Sequence, residues 1–262
     1  MTTLAVETSA LVGRHLRHLA RVPMRLLGVT VMPVAYVVIF GYLFGSVIEV
    51  QGGGYREFLM AGIFAQMMLT NLQHTALGVV DDLGNGIDDR FRSLPIAGLA
   101  VPLARTMADL TRVVVACVAM AVVGFAMGWR THAGPVQALA GFGLLLLLGF
   151  AASWLGVLLG LRLRSAEAVS AVAFLVVMPM TFLSNAFIPL HGLPGWLRTV
   201  CEWNPLSAVV AACRDLFGNP GSAGDALPMR HPVAASLLLI TALLVVSASL
   251  ATHAYRAAAR GR

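Results

Sequence analysis

Between His132 and Arg162 the chain carries no ionisable group, reading AGPVQALAGFGLLLLLGFAASWLGVLLGL. A helix crosses the hydrocarbon of a bilayer with about 20 mostly apolar residues, and in lipid a single segment satisfies its own backbone only as a helix. Six charge-poor runs of this kind follow one another: Leu26–Ile48, Phe58–Val80, Met107–Gly128, Val136–Leu161, Ala166–Leu190 and Val233–Ala254. Asp109 and Arg112 stand near the start of the third, so its apolar stretch begins about one turn later. With 58% hydrophobic and 11% charged residues, 262 residues hold too little polar surface to cover a soluble globule. The expectation is an all-α membrane protein with six transmembrane helices.

Arginine placement sets the expected orientation. Arg14, Arg17, Arg21, Arg25, Arg90, Arg92, Arg105, Arg162, Arg164, Arg256, Arg260 and Arg262 fall on the side of the N-terminus, against Arg56, Arg130, Arg198, Arg214 and Arg230 on the other. Arginine-rich short loops resist translocation, which predicts both termini in the cytoplasm. The net charge of +6 then reads as attraction to anionic lipid. No soluble domain exists to gather it into a nucleic-acid patch, so no nucleic-acid partner is expected. The first apolar run is of full spanning length and begins too late for a cleavable signal.

All 18 basic residues are arginine. Without lysine the chain cannot build the phosphate-cradling loop of an ATPase or a Schiff base. The motifs of zinc proteases and of serine hydrolases are also absent from the sequence, and no metal set or bound cofactor is expected. Cys117 falls within a span. Cys201 and Cys213 share the outer loop, where a disulfide is conceivable.

Before the first span, Arg14, Arg17, Arg21 and Arg25 repeat at helical spacing opposite Val12, Leu16 and Leu19. This pattern predicts an interfacial helix over residues 1–25, with a solvated basic tail as the alternative. In the second span Gln66, Thr70, Gln73 and His74 share one helical face. Either they bond to other helices or they line a transport path.

The stretch from Asp81 to Arg105 is dense in charge for this chain. A single acid at the bilayer centre costs roughly 2.5–3.5 kcal/mol on insertion scales, so its four aspartates place it in a cytoplasmic loop. Leu83, Ile87, Phe91 and Leu94 give one apolar face to a short helix over 81–95, with Asp81 or Asp82 as its N-cap and Pro95 as its stop. That face either packs on the protein itself or docks a separate protein. Arg105, Asp109 and Arg112 then follow at four and three, a spacing that makes a structural charge cluster at the membrane boundary.

Beyond the fifth span, Pro179 predicts a kink, and Thr181, Ser184 and Asn185 bring polar groups to its outer end. Trp196, Val200 and Trp203 recur at helical spacing before Asn204–Pro205 breaks the chain. Residues 187–220 thus read as an outer re-entrant helical hairpin, serving as a lipid anchor or as part of an exit for substrate.

Two long stretches carry a resemblance. GIDDRFRSLPIAGLAVPLARTMADLTR, Gly86 to Arg112, and FLSNAFIPLHGLPGWLRTVCEWNPLSAVVAACRDLFGNP, Phe182 to Pro220, are similar to type-2 ABC exporter permeases, especially the daunorubicin/doxorubicin-resistance permeases. The resemblance covers most of the chain and implies one transmembrane domain over residues 1–262 that pairs with a second permease copy or a paralogue. It implies a separately encoded ATPase that holds ATP and Mg, docked on Leu83, Ile87, Asp89, Arg90, Phe91 and Arg92 of the coupling helix. Gly98 stands where members often carry a basic residue. The function implied is ATP-driven export of an amphipathic drug, antibiotic or lipid-like molecule across a bacterial cell membrane. A proton-coupled carrier is the runner-up, for which Asp109 and Glu167 are the available acids.

Overall fold

The computed structural model describes residues 23–43, 50, 53–84, 100–221 and 224–260, and they are helical almost throughout. The long helices are α1 (Pro23–Leu43), α2 (Tyr55–Gly84), α3 (Ala100–Ala126), α4 (Pro135–Leu163), α5 (Ala166–Phe182) and α9 (Pro232–Arg260). Between α5 and α9 come a 3-10 turn at Leu190–Gly192, then α6 (Gly195–Trp203), α7 (Pro205–Phe217) and α8 (Leu227–Arg230). Most of the expected interfacial segment (residues 1–22) and the loop residues 85–99 lie outside the described residues.

Among the described residues, three segments are long and apolar enough to cross a membrane: Arg105–Ala126, Pro135–Leu163 and Pro232–Tyr255. The 30-residue α2 has ample length, but Gln66, Asn71, Gln73 and His74 dilute its apolar character. The expected fifth run is shorter than the sequence suggests. Instead of continuing to Leu190, the helix ends at Phe182, three residues after Pro179, where the N–H of Leu183 closes on the carbonyl of Pro179.

Helix α2 is the hub, packed against α1, α3, α4, α5 and α7. Its largest interface is with α4, where Gly149, Ser153, Gly156 and Gly160 form a stripe of small residues that lets the two backbones approach closely. Asn71 on α2 uses that proximity, donating from Nδ2 to Ser153 Oγ at 2.7 Å. At the Tyr55 end of α2, Phe64, Trp129, Phe142 and Phe217 pack ring to ring, and Trp129 Nε1 donates to Asn219 Oδ1 at 2.8 Å. This aromatic knot joins α2, the α3–α4 turn, α4 and the end of α7.

Candidate functional site

Two polar clusters mark the two ends of α2. Near Gly84, Arg105 of α3 pairs with Asp82 and donates from Nη1 to the carbonyl of Gly78 at 2.9 Å. A side chain at position 78 would meet that guanidinium and oblige it to shift. Arg112 pairs with Asp109 Oδ1, Arg105 Nε lies 4.0 Å from Asp109 Oδ2, and Thr75 Oγ1 donates to that oxygen at 2.5 Å. Asp109 is only 3% exposed. The structure therefore brings Arg105, Asp109 and Arg112 together and adds Asp82 and Thr75 from α2. The cluster binds α2 to α3 at the two chain ends that flank residues 85–99.

Leu83 is placed differently from the sequence expectation. Asp81, Asp82 and Leu83 belong to the last turns of α2, not to the start of a separate helix, so neither aspartate is an N-cap there. The helix outlasts its apolar run because Asp82 is held by Arg105 and Leu83 packs against a cluster of Val79, Trp154, Val157, Leu161, Ala251 and Tyr255. Ile87, Asp89, Arg90, Phe91 and Arg92 lie outside the described residues.

The polar stripe of α2 divides. Gln66 is buried, Thr70 and Gln73 are half-buried, and His74 is exposed. Thr70 Oγ1 donates to the Met67 carbonyl of its own helix. The bonds to other helices come from the adjoining face, through Asn71 and Thr75. Their i, i+4 spacing was legible in the sequence as a second polar line.

At the other end of α2, the backbone from Met180 to Phe187 leaves α5, and its carbonyls are taken up by side chains. Asn204 Nδ2 donates to the carbonyls of Met180 and Leu183 at 2.8 and 2.6 Å, while its Oδ1 caps α7 by accepting from the N–H of Leu206. Ser207 Oγ accepts from the N–H of Asn185. Tyr55 donates from its hydroxyl to the carbonyl of Phe187 at 3.0 Å. Thr181, Ser184 and Asn185, expected at the outer end of this span, are all buried here. Gly62 of α2 lies against the Ala186 carbonyl so closely that any side chain would clash.

Arg214, on α7, completes this end. It is 0% exposed. Nε and Nη2 both donate to the carbonyl of Phe58, at 3.0 and 2.9 Å, and Nη2 also reaches the carbonyls of Asn185 at 2.8 Å and Ala186 at 3.3 Å. The guanidinium carbon stands 3.5 Å from the centroid of the Phe58 ring. Burial pushes its pKa down to about 9, which leaves it cationic at neutral pH. Burial raises the neighbouring Asp215 carboxyl, and Arg214 partly offsets that. Sequence reasoning counted Arg214 only as an outer charge. The available signal was an arginine directly after the weakly polar run PLSAVVAAC.

The hairpin's other helix, α6, is amphipathic. Trp196 and Trp203 are exposed, whereas Cys201 and Glu202 are buried. Arg198 Nε donates to Glu202 Oε1 at 2.7 Å, and Glu202 Oε2 accepts from the N–H of Ala226. Burial alone would raise the Glu202 carboxyl, but these partners bring it below its ordinary value. Cys201 and Cys213 do not form the conceivable disulfide, and all three cysteines are free and buried. Among the described residues no group of three or more candidate metal ligands occurs.

The chain is thus a helical membrane protein whose buried polar groups join helices at two levels, with a polar face left on its central helix. The chain belongs to the ABC-2 type transporter family, whose model matches residues 6–217. Members are the transmembrane subunits of ABC transporters, and ATP hydrolysis resides in separate partner subunits. The chain is 28% identical to a daunorubicin resistance ABC transporter permease protein, DrrB1, of Streptomyces coeruleorubidus over 89% of its own length and 80% of the relative's. It is 23% identical to a probable doxorubicin resistance permease protein, DrrC, of Mycobacterium tuberculosis, covering 96% and 89%. A putative transport permease, ycf38, of Porphyra purpurea is 24% identical over 81% and 74%.

Proposed function

We propose that this permease exports an amphipathic drug, antibiotic or lipid-like molecule from a bacterial cell, powered by ATP and Mg bound on a separately encoded ATPase. The family match over residues 6–217, with drug-resistance permeases among the relatives, carries this reading. Its geometry is consistent with a half-transporter. Gln73 and His74 on the central helix α2 keep exposed surface in the single chain, and polar side chains at membrane depth face a cavity or another protein surface, not lipid. A second permease copy or a paralogue would cover that face and enclose the path, with Gln66, Thr70, Gln73, His74, Thr181, Ser184 and Asn185 along it. Both termini lie in the cytoplasm on this reading, and the exposed tryptophans of α6 meet the outer leaflet.

The ATPase docks through the segment between α2 and α3, using Ile87, Asp89, Arg90, Phe91 and Arg92, with Leu83 setting its start. Arg105, Asp82 and Asp109 couple that segment to the spans. A proton-coupled carrier is disfavoured because its best-placed acid, Asp109, is already held by two arginines and a threonine, and Glu167 is exposed.

Two substitutions test docking. Truncating a buried aromatic anchor costs on the order of 2 kcal/mol, about thirtyfold in affinity. Phe91→Ala is therefore expected to lose the ATPase on purification while the permease stays at its normal level in the membrane. Asp89→Arg weakens retention through charge reversal. If both together leave retention and ATP-dependent export intact, this segment is not the coupling element. Export by the permease alone, abolished by collapse of the proton gradient, would favour the carrier.

A further inference from the structure

The buried cluster around Arg214 has a chemistry that the docking segment does not explain. One side chain ties three elements: its own helix α7, the first turn of α2 through Phe58, and the break after α5 through Asn185 and Ala186. Its partners are neutral carbonyls and the face of a phenyl ring. Among the described residues Arg214 makes no ion pair. A permanent apolar plug of similar volume would hold these helices without the desolvation cost of a buried cation.

The surroundings are also incompletely satisfied. Arg214 Nη1, Thr181 Oγ1 and Gln66 Oε1 are buried without a hydrogen-bond partner. Thr181 lies on the last turn of α5 just before the break. Gln66 lies one turn along α2 from Gly62, the residue that touches Ala186. Buried polar groups without partners are costly and uncommon, and each regains partners when water or a polar ligand reaches it. The closed arrangement is thus held by several hydrogen bonds and opposed by stranded polar atoms, a balance suited to two states.

We propose that Arg214 is the latch of the exit: a positioning residue that keeps α6 and α7 shut over the polar ends of α2 and α5, and releases them during transport. This rests on the permease reading. Release separates a cation from dipoles and not from an opposite charge, so water replaces the lost partners. Opening turns Thr181 and Gln66 toward the vacated space, where they meet the polar part of an amphipathic substrate.

Cys213, adjacent to the latch and 0% exposed, supplies the readout without any substrate. The permease–ATPase complex in lipid nanodiscs is treated with a membrane-impermeant maleimide, and modification of Cys213 is followed by mass spectrometry. Without nucleotide Cys213 is expected to stay protected. Trapping with ATP, Mg and vanadate should raise its rate at least tenfold. Arg214→Gln should give fast modification without nucleotide, and Arg214→Lys, which keeps the charge but fewer donors, an intermediate rate. A complex that retains its ATPase and hydrolyses ATP, yet protects Cys213 equally in both states, overturns the latch and leaves the permease reading standing. Failure to retain any ATPase overturns the permease reading and the latch with it. The wild-type comparison decides even if the variants fail to fold.

Discussion

The two ends of α2 solve the same problem in opposite ways. Near Gly84, Arg105 and Arg112 are balanced by Asp82 and Asp109: Arg105 reaches across to Asp82 of α2, and the Asp109 pairs lie within α3 with Thr75 of α2 donating to the same carboxylate. Near Tyr55, Arg214 has only carbonyls and the face of the Phe58 ring, and the carbonyls belong to the first turn of α2 and to a stretch where α5 has already ended. A buried ion pair resists separation because each partner would be left charged in a poor solvent. A cation held by dipoles loses only hydrogen bonds, which water can restore. The first arrangement suits a joint that transmits movement rigidly and the second suits one that opens.

The largest effect should come from breaking the paired end. Asp109→Ala leaves Arg112 without its carboxylate and Thr75 without its acceptor, all within a helix interface. Stranding buried charges in this way costs on the order of 3 kcal/mol. Thermal unfolding of the purified permease should show a clear loss of stability, and Asp109→Leu combined with Arg112→Leu should recover most of it. If the single and double variants were equally unstable, the Asp109–Arg112 pairing would not be what stabilises this end of α3.

Much of this contrast depends on what a sequence can display. Arg105, Asp109 and Arg112 sit on one helix at spacings of four and three, so their cluster was visible in the chain before any fold was known. Asp82 and Thr75 were not assigned to it, because their place depends on how α2 packs on α3. Arg214 was illegible for a stronger reason: its partners are backbone carbonyls 29 and 156 residues away, and a carbonyl has no sequence signature. The six apolar runs outlined the long helices, yet the fifth was drawn too far, since apolar character continues through Phe187 and Ile188 after the helix has stopped. Asn204–Pro205 marked the turn between α6 and α7, and the structure adds that Asn204 also caps the broken end of α5.

A smaller loss is expected from the unpaired end. Arg214→Met leaves the carbonyls of Phe58, Asn185 and Ala186 without this donor, but it also removes a buried cation whose desolvation opposed folding. The net cost should be about 2 kcal/mol, below that of Asp109→Ala, as measured by the same thermal unfolding. A loss equal to or larger than that of Asp109→Ala would mean that the contact near Tyr55 is as rigid as the one near Gly84, and the distinction between the two ends would fail.

The smallest effect belongs to the Arg198–Glu202 ion pair on α6, and it sharpens the comparison through pH. Glu202 is held below its ordinary value of 4.5 by Arg198 and by backbone N–H groups, against the opposing effect of burial. A carboxyl depressed in the folded state adds stability that is fully present above its unfolded value and is lost as pH falls through its folded value. A fall in pH through this depressed value should therefore loosen α6 from Ala226 while leaving α7 held by Arg214, whose hydrogen-bond acceptors include no carboxylate to protonate. Following maleimide modification after brief acid exposure and return to neutral pH would miss a reversible change, so the measurement is hydrogen exchange during the acid step. Amides of α6 should lose protection before those of α7, and Glu202→Gln should show the loosened α6 already at neutral pH. Simultaneous loss in α6 and α7 would show that the hairpin is a single unit, held as much by the Arg198–Glu202 pair as by Arg214.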